Sequence, residues 1–164
     1  MRVGLLGDSD RLVLARAASE STDTGAATLA AVRSLRESMY ALLVAWGDGR
    51  RPARPDLDRL NDLLAAAPRR DRLDWPAAGP VWPRAPRIEL IAPAWPVAWS
   101  AADLLTSGDP DRLRQCAGPG CGWLFYDQSR GGRRRWCSME DCGNRAKAQR
   151  HQARLRARTD ATGA

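Results

Sequence analysis

Leu29, Val32, Leu35, Met39, Leu42, Leu43 and Trp46 recur largely at steps of three and four, the period that gathers side chains on one face of a helix. The pattern predicts a helix from about Thr24, stopped by Gly47 and Gly49, with a shorter helix before it around 11–18. After the turn-forming RRPARP, the stretch PDLDRLNDLLAAAP repeats the signal. Leu57, Leu60, Leu63 and Leu64 form its buried stripe, Asp56 is expected to cap it, and Pro68 ends it. Residues 69–96 change character. Pro76, Pro80, Pro83, Pro86, Pro93 and Pro96 forbid a long helix, while Trp75, Val81, Trp82 and residues 88–91 suit a small hairpin. The tryptophans here read as core filling rather than a ligand cage. Trp95, Ala98, Ala102 and Leu105 predict a further helix closed by Ser107 and Gly108. Asp109-Pro110 opens a new turn, and a domain boundary is expected near residue 112.

Beyond that boundary helical periodicity gives way to turn chemistry. Residues 123–126 read as a strand, Gly131 and Gly132 as a turn, and 134–137 as the returning strand of a hairpin. Ser138 is a good helix N-cap, with Glu140 and Asp141 in the favourable first turn. A helix from Met139 to about Arg158 is expected, with a disordered tail over 159–164. The fold class is therefore mainly α with a little β: a helical part over 1–112 and a small module over 113–158.

The charge sharpens this division. Residues 1–112 hold fifteen Arg against fifteen Asp and Glu, whereas 113–158 carry a net +8 within a chain of +7 overall. A preference for Arg codons does not explain why one segment is neutral and the other strongly basic. An anionic polymer or surface does. The chain has no run of about eighteen apolar residues, as a membrane-spanning helix requires. The few apolar residues of MRVGLLGDSDRL are too short for a secretory signal. A cytoplasmic, nucleoid-associated protein without a membrane partner is the expectation.

All four cysteines lie in the basic segment, at Cys116, Cys121, Cys137 and Cys142: two C-x4-C pairs separated by fifteen residues. Disulfides fit a reducing compartment poorly, and thioredoxin-like chemistry prefers C-x-x-C at a helix start. Zinc fits, because it takes four thiolates tetrahedrally and each pair can chelate from a tight loop. The loop between the first pair contains Gly118 and Gly120, available for positive φ. Four sulfurs leave no vacant position, so one structural zinc ion is expected rather than a catalytic one. The segment has few apolar side chains, and ligation should supply its main folding free energy, on the order of 10 kcal/mol. Trp123, Tyr126 and Trp136 could stack on the bases of single-stranded DNA or structured RNA, but their positions flanking the cysteines favour packing around the site instead. His151, nine residues beyond Cys142, reads as an exposed helix residue within reach of a phosphate rather than a fifth ligand.

The runs CAGPGCGWLFYDQSR and RWCSMEDCGNRAKAQRHQAR, including the tetrad Cys142-Gly143-Asn144-Arg145, resemble the CGNR zinc-finger family of bacterial transcription regulators over 113 to about 154. The resemblance implies a zinc-held DNA-binding module. It also implies a mainly helical, stress-related and ligand-sensing ABATE-like partner domain, which the RSLRESMYALL and LDRLNDLL patterns are similar to. The Phe-x-Asn-Thr opening of such domains is not found, so that domain is expected to be shortened at its N-terminus.

On the last helix Lys147, Arg150, Arg154 and Arg158 follow at steps of three and four as one cationic stripe, while Arg145 and Arg156 lie on another face. Such a helix is either a solvated surface or a recognition helix in the DNA major groove, with Arg133, Arg134 and Arg135 on phosphates. Asn144 and Arg145 are either base readers or first-turn buttresses. The expected function is a regulator of transcription bound to double-stranded DNA, with a small-molecule effector or homodimer formation at the helical domain. The alternatives are an RNA- or ribosome-associated zinc protein and a protein-interaction adaptor. No Ser-His-Asp set, phosphate loop or open metal site can be assembled, and an enzyme is not expected.

Overall fold

The computed structural model describes residues 8–68, 75–81 and 89–162, which divide into two compact units. The first is helical: α1 (Asp8–Glu20), α2 (Thr22–Gly47), α3 (Arg54–Ala66) and α4 (Trp95–Ser107). From α2, Leu35, Ser38, Leu42 and Ala45 are buried, the three- and four-residue rhythm read in the sequence. Leu29 belongs to the same rhythm but is 51% exposed, so the buried stripe starts later than the pattern suggests. Leu42, Leu60 and Ala98 form the core, with Leu57, Leu63, Leu64 and Leu105 packed against them. The one buried hydroxyl among them, that of Ser38, accepts a hydrogen bond from Arg59 Nη1 at 3.0 Å.

Three details differ from expectation. Trp75, read as core filling, is 77% exposed. Asp56 does not cap α3. The cap position is Ala53, Pro55 sits in the first turn where no N–H is needed, and Asp56 lies inside that turn. Of the hairpin expected within 75–91, residues 82–88 lie outside the described residues, and 89–91 turn into a short 3-10 segment, Ala92–Ala94, instead of a strand.

The second unit comprises 109–164 with Gly47–Gly49. Strand β1 (Leu113–Gln115) pairs antiparallel with β2 (Leu124–Tyr126), in the register Leu113 to Tyr126, Arg114 to Phe125 and Gln115 to Leu124. The partner of 124–126 is therefore upstream, not the expected return over 134–137. Asp127 explains the difference. Its carboxylate accepts the N–H of Arg134 at 2.8 Å, and the Arg135 carbonyl accepts from Ala117 N–H at 2.8 Å, so this segment is held individually, outside a ladder.

A wide π-type turn, Met139–Gly143, follows and leads into α5 (Asn144–Thr162). Helix α5 continues through 159–162, which corrects the expected disordered tail there. No Gly or Pro interrupts the chain before Gly163, so nothing local stops it. Among the described residues of this unit the buried side chains are Cys116, Asp127 and Cys142. Its described residues form no apolar core apart from sulfur.

Candidate metal centre

Two structural devices bring the four sulfurs together. The first is the loop between β1 and β2, in which Cys116 N–H donates to the Trp123 carbonyl at 2.8 Å and Cys121 N–H to the Gly118 carbonyl at 3.0 Å. Gly120 and Gly122 adopt φ of 68° and 65°, a region that a side chain would strain. The second is the start of the last helix. Ser138 accepts the N–H of Asp141 at 3.1 Å, as its cap role predicts, and Gly143 N–H reaches back to the Ser138 carbonyl at 3.0 Å. That five-residue step widens the turn and carries buried Cys142 to the cluster.

All four Sγ atoms lie within 4.8 Å of one another. Cys121 and Cys137 are 3.7 Å apart, and Cys137 and Cys142 are 3.9 Å apart. A disulfide requires about 2.05 Å. Four sulfurs at about 2.3 Å from a tetrahedral zinc stand about 3.8 Å from one another. The thiols thus fit one metal ion, and Cys116, Cys121, Cys137 and Cys142 would hold it. Cys116 Sγ also accepts the N–H of Gly118 and of Cys137, each at 3.4 Å, bonds that stabilise a thiolate.

Electrostatics separates the four. Burial alone would raise Cys116, but the N–H groups of Cys137 and Gly118 and the neighbouring thiols more than offset it, bringing its pKa down to about 6. Cys142 is pushed up to about 12 by hydrogen bonding to Cys121 and by burial, and Cys137 is raised chiefly by burial. One thiolate forms readily and discourages the others. Zinc entry must displace the remaining protons, so affinity falls as pH falls.

Gly118 is the tightest point. A Cβ there would lie 3.0 Å from Cys142 Sγ and 3.4 Å from Cys116 Sγ. Gly118→Ala is expected to push the sulfurs apart and weaken zinc binding about tenfold or more, measured by competition with a chromophoric chelator.

Asp127, fully buried, supports the centre without ligating it. It accepts Ser129 N–H at 2.9 Å and Arg134 N–H at 2.8 Å, pinning the chain that leads to Cys137. The Ser129 side chain, opposed by burial, and these backbone bonds lower its pKa from 3.8 to about 2. A carboxylate depressed on folding adds stability that is complete above its ordinary value and lost as pH falls through the folded one. At acid pH this contribution therefore outlasts the zinc. Asp127→Asn offers one acceptor fewer for two N–H groups and is expected to reduce zinc affinity about tenfold at neutral pH in the same chelator assay. The sequence reading gave Asp127 no role. The signal was there as Asp-x-Ser, the signature of a side chain closing a turn on the N–H two residues later.

The basic residues lie in the same unit as this centre. Arg133, Arg134, Arg135, Asn144, Arg145, Lys147, Arg150, His151 and Arg154 are exposed, and the side chain of Arg158 lies outside the described residues. Arg134 is partly committed: it donates to the Cys137 carbonyl at 2.9 Å and lies over the Phe125 ring. Asn144 Nδ2 donates to the Glu140 carbonyl at 3.0 Å, a bond within its own helix start. Arg135 lies over the Trp136 ring, which with Ala117, Pro119, Ala146 and Arg150 lines an open groove of about 380 Å³. Trp123 departs from expectation. It does not pack around the cysteines but is 70% exposed.

Among the described residues no helix is long and apolar enough to cross a membrane. Residues 112–155 match the CGNR zinc finger, and residues 5–108 match ABATE, described as a putative stress-induced transcription regulator. Neither description is that of an enzyme. No curated protein matches the chain. Since the second match covers more than half of the sequence and the first covers the sulfur cluster, the chain belongs to the ABATE family and carries a CGNR zinc finger whose four cysteines are positioned to coordinate one structural zinc ion.

Proposed function

We propose that the protein is a cytoplasmic regulator of transcription that binds double-stranded DNA through the zinc-held second unit. One observation carries the reading. The metal centre fixes the start of α5, from which exposed Arg145, Lys147, Arg150 and Arg154 project with no acidic residue between 144 and 156. A helix with that surface has little to pack against its own chain and suits a major groove. Arg133 and Arg135, exposed beside the centre, suit phosphates, while Arg134 shares that role with holding the Cys137 carbonyl. His151 adds a phosphate contact, and Arg158, whose side chain lies outside the described residues, joins the set by its sequence spacing.

For Asn144 the bond to the Glu140 carbonyl favours buttressing the helix start over reading a base. Arg145 is the better candidate for bidentate contact with guanine. The chemistry of the zinc is structural: it orders the loop and helix start and leaves no open position for a reaction. The helical first unit would supply the regulatory input, by a small-molecule effector or by forming a homodimer. A dimer would raise the modest affinity of one short module.

The experiment is titration of the zinc-loaded full chain with duplex DNA, with structured RNA as competitor at fixed salt. Preference for the duplex is expected. Preference for RNA would move the protein to an RNA- or ribosome-associated role, and binding to neither would overturn the nucleic-acid reading.

A further inference from the structure

An exposed tryptophan forgoes one of the larger burial contributions available to a side chain, and Trp123 keeps 70% of its surface in solvent. Its backbone is nevertheless fixed. Cys121 of the sulfur cluster lies two residues before it, Gly122 takes φ of 65°, and the Trp123 carbonyl accepts Cys116 N–H at 2.8 Å. That bond closes the loop immediately before β2, in which Phe125 stands opposite Arg114 in register. The Arg134 guanidinium lies 5.0 Å from the Phe125 ring centre, and Arg114 reaches the Gly132 carbonyl at 3.5 Å. An exposed ring therefore stands on a backbone fixed by the sulfur-bearing loop, two residues before a second aromatic that carries an arginine.

We propose that Trp123 stacks on an unpaired nucleobase of the strand whose phosphates the neighbouring arginines hold, with Phe125 and Arg134 forming the edge of the platform. The inference rests on the nucleic-acid reading above and adds to it a contact with bases. Charge selects the occupant. An apolar protein partner would meet the ring within a segment of net +8, whereas a nucleotide offers a flat π face and a phosphate together. Exposed aromatics on a cationic surface are a recurrent way of stacking bases, and stacking tolerates any base because every base has a π face.

The test uses the zinc-loaded full chain and fluorescence anisotropy with two labelled probes, an oligothymidylate single strand and a blunt duplex. Trp123→Leu keeps apolar bulk without the flat ring, and Trp123→Phe keeps a ring. With zinc content at the wild-type level, Trp123→Leu should lose about tenfold in affinity for the single strand, and Trp123→Phe should stay within about threefold. Duplex affinity and the salt dependence should change little in either. Wild-type affinity for the single strand in Trp123→Leu would overturn the stacking assignment while leaving the DNA reading intact. Zinc loss in both variants would also overturn it, because the ring would then be serving the metal fold. Failure of the wild type to bind either probe would remove the reading beneath it.

Discussion

Cys137→Ser is expected to release the zinc and unfold the second unit while the first unit stays folded. Cys137 Sγ stands 3.7 Å from Cys121 and 3.9 Å from Cys142, so its loss breaks the link between the loop pair and the helix pair. Structural zinc contributes on the order of 10 kcal/mol, and removing one of four ligands should cost about a quarter of that, or roughly 70-fold in affinity. The effect on folding is larger than that figure suggests. Among its described residues this unit buries only Cys116, Asp127 and Cys142 as side chains, so no apolar core remains to hold it. The first unit keeps Leu42, Leu60 and Ala98 and should retain its helical signal. Zinc content and circular dichroism of the variant beside the wild type check both halves. Full zinc occupancy in Cys137→Ser would contradict the ligand set.

The second large effect is on nucleic-acid binding. Segment 113–158 carries net +8, and the exposed cations Arg133, Arg135, Arg145, Lys147, Arg150 and Arg154 stand on it. If about six to eight cationic contacts displace condensed counterions, the logarithm of the duplex association constant should fall with the logarithm of salt concentration with slope about −5 to −7. Raising salt fourfold then weakens binding by roughly three to four orders of magnitude. Lys147→Ala with Arg154→Ala should reduce the steepness by about two, because each removed contact takes its counterions with it. A nearly flat salt dependence would refute the electrostatic mechanism.

Legibility in the sequence followed the range of the physics involved. The four cysteines, the Ser138 cap and the leucine stripes of α2 and α3 rest on spacing along a few turns of chain, which sequence displays directly. The pairing of β2 was misread because three-residue β1 shows no alternation, whereas Gly131-Gly132 imitates a hairpin turn. What decides the matter is Asp127, whose carboxylate takes an N–H seven residues away and so keeps 134 out of a ladder. Asp56 looked like a cap because the helix was expected to begin there, but Pro55 is itself compatible with the first turn and Arg54 opens the helix earlier. The exposure of Trp123 was hidden for a related reason. Burial is decided by what else packs nearby, and the loop offers it no apolar neighbour layer. The width of the turn before α5 likewise depends on where Cys142 must point, which local propensity does not encode.

Stoichiometric zinc titration of the metal-free full chain, followed by backbone hydrogen exchange, tests most directly whether the ion is the core of the second unit. Protection of the Cys116, Ala117, Cys137 and Gly143 amides should rise in proportion to zinc and reach its limit at one equivalent, with α2 and α3 unchanged throughout. Protection of those four amides before any zinc is added would contradict the account.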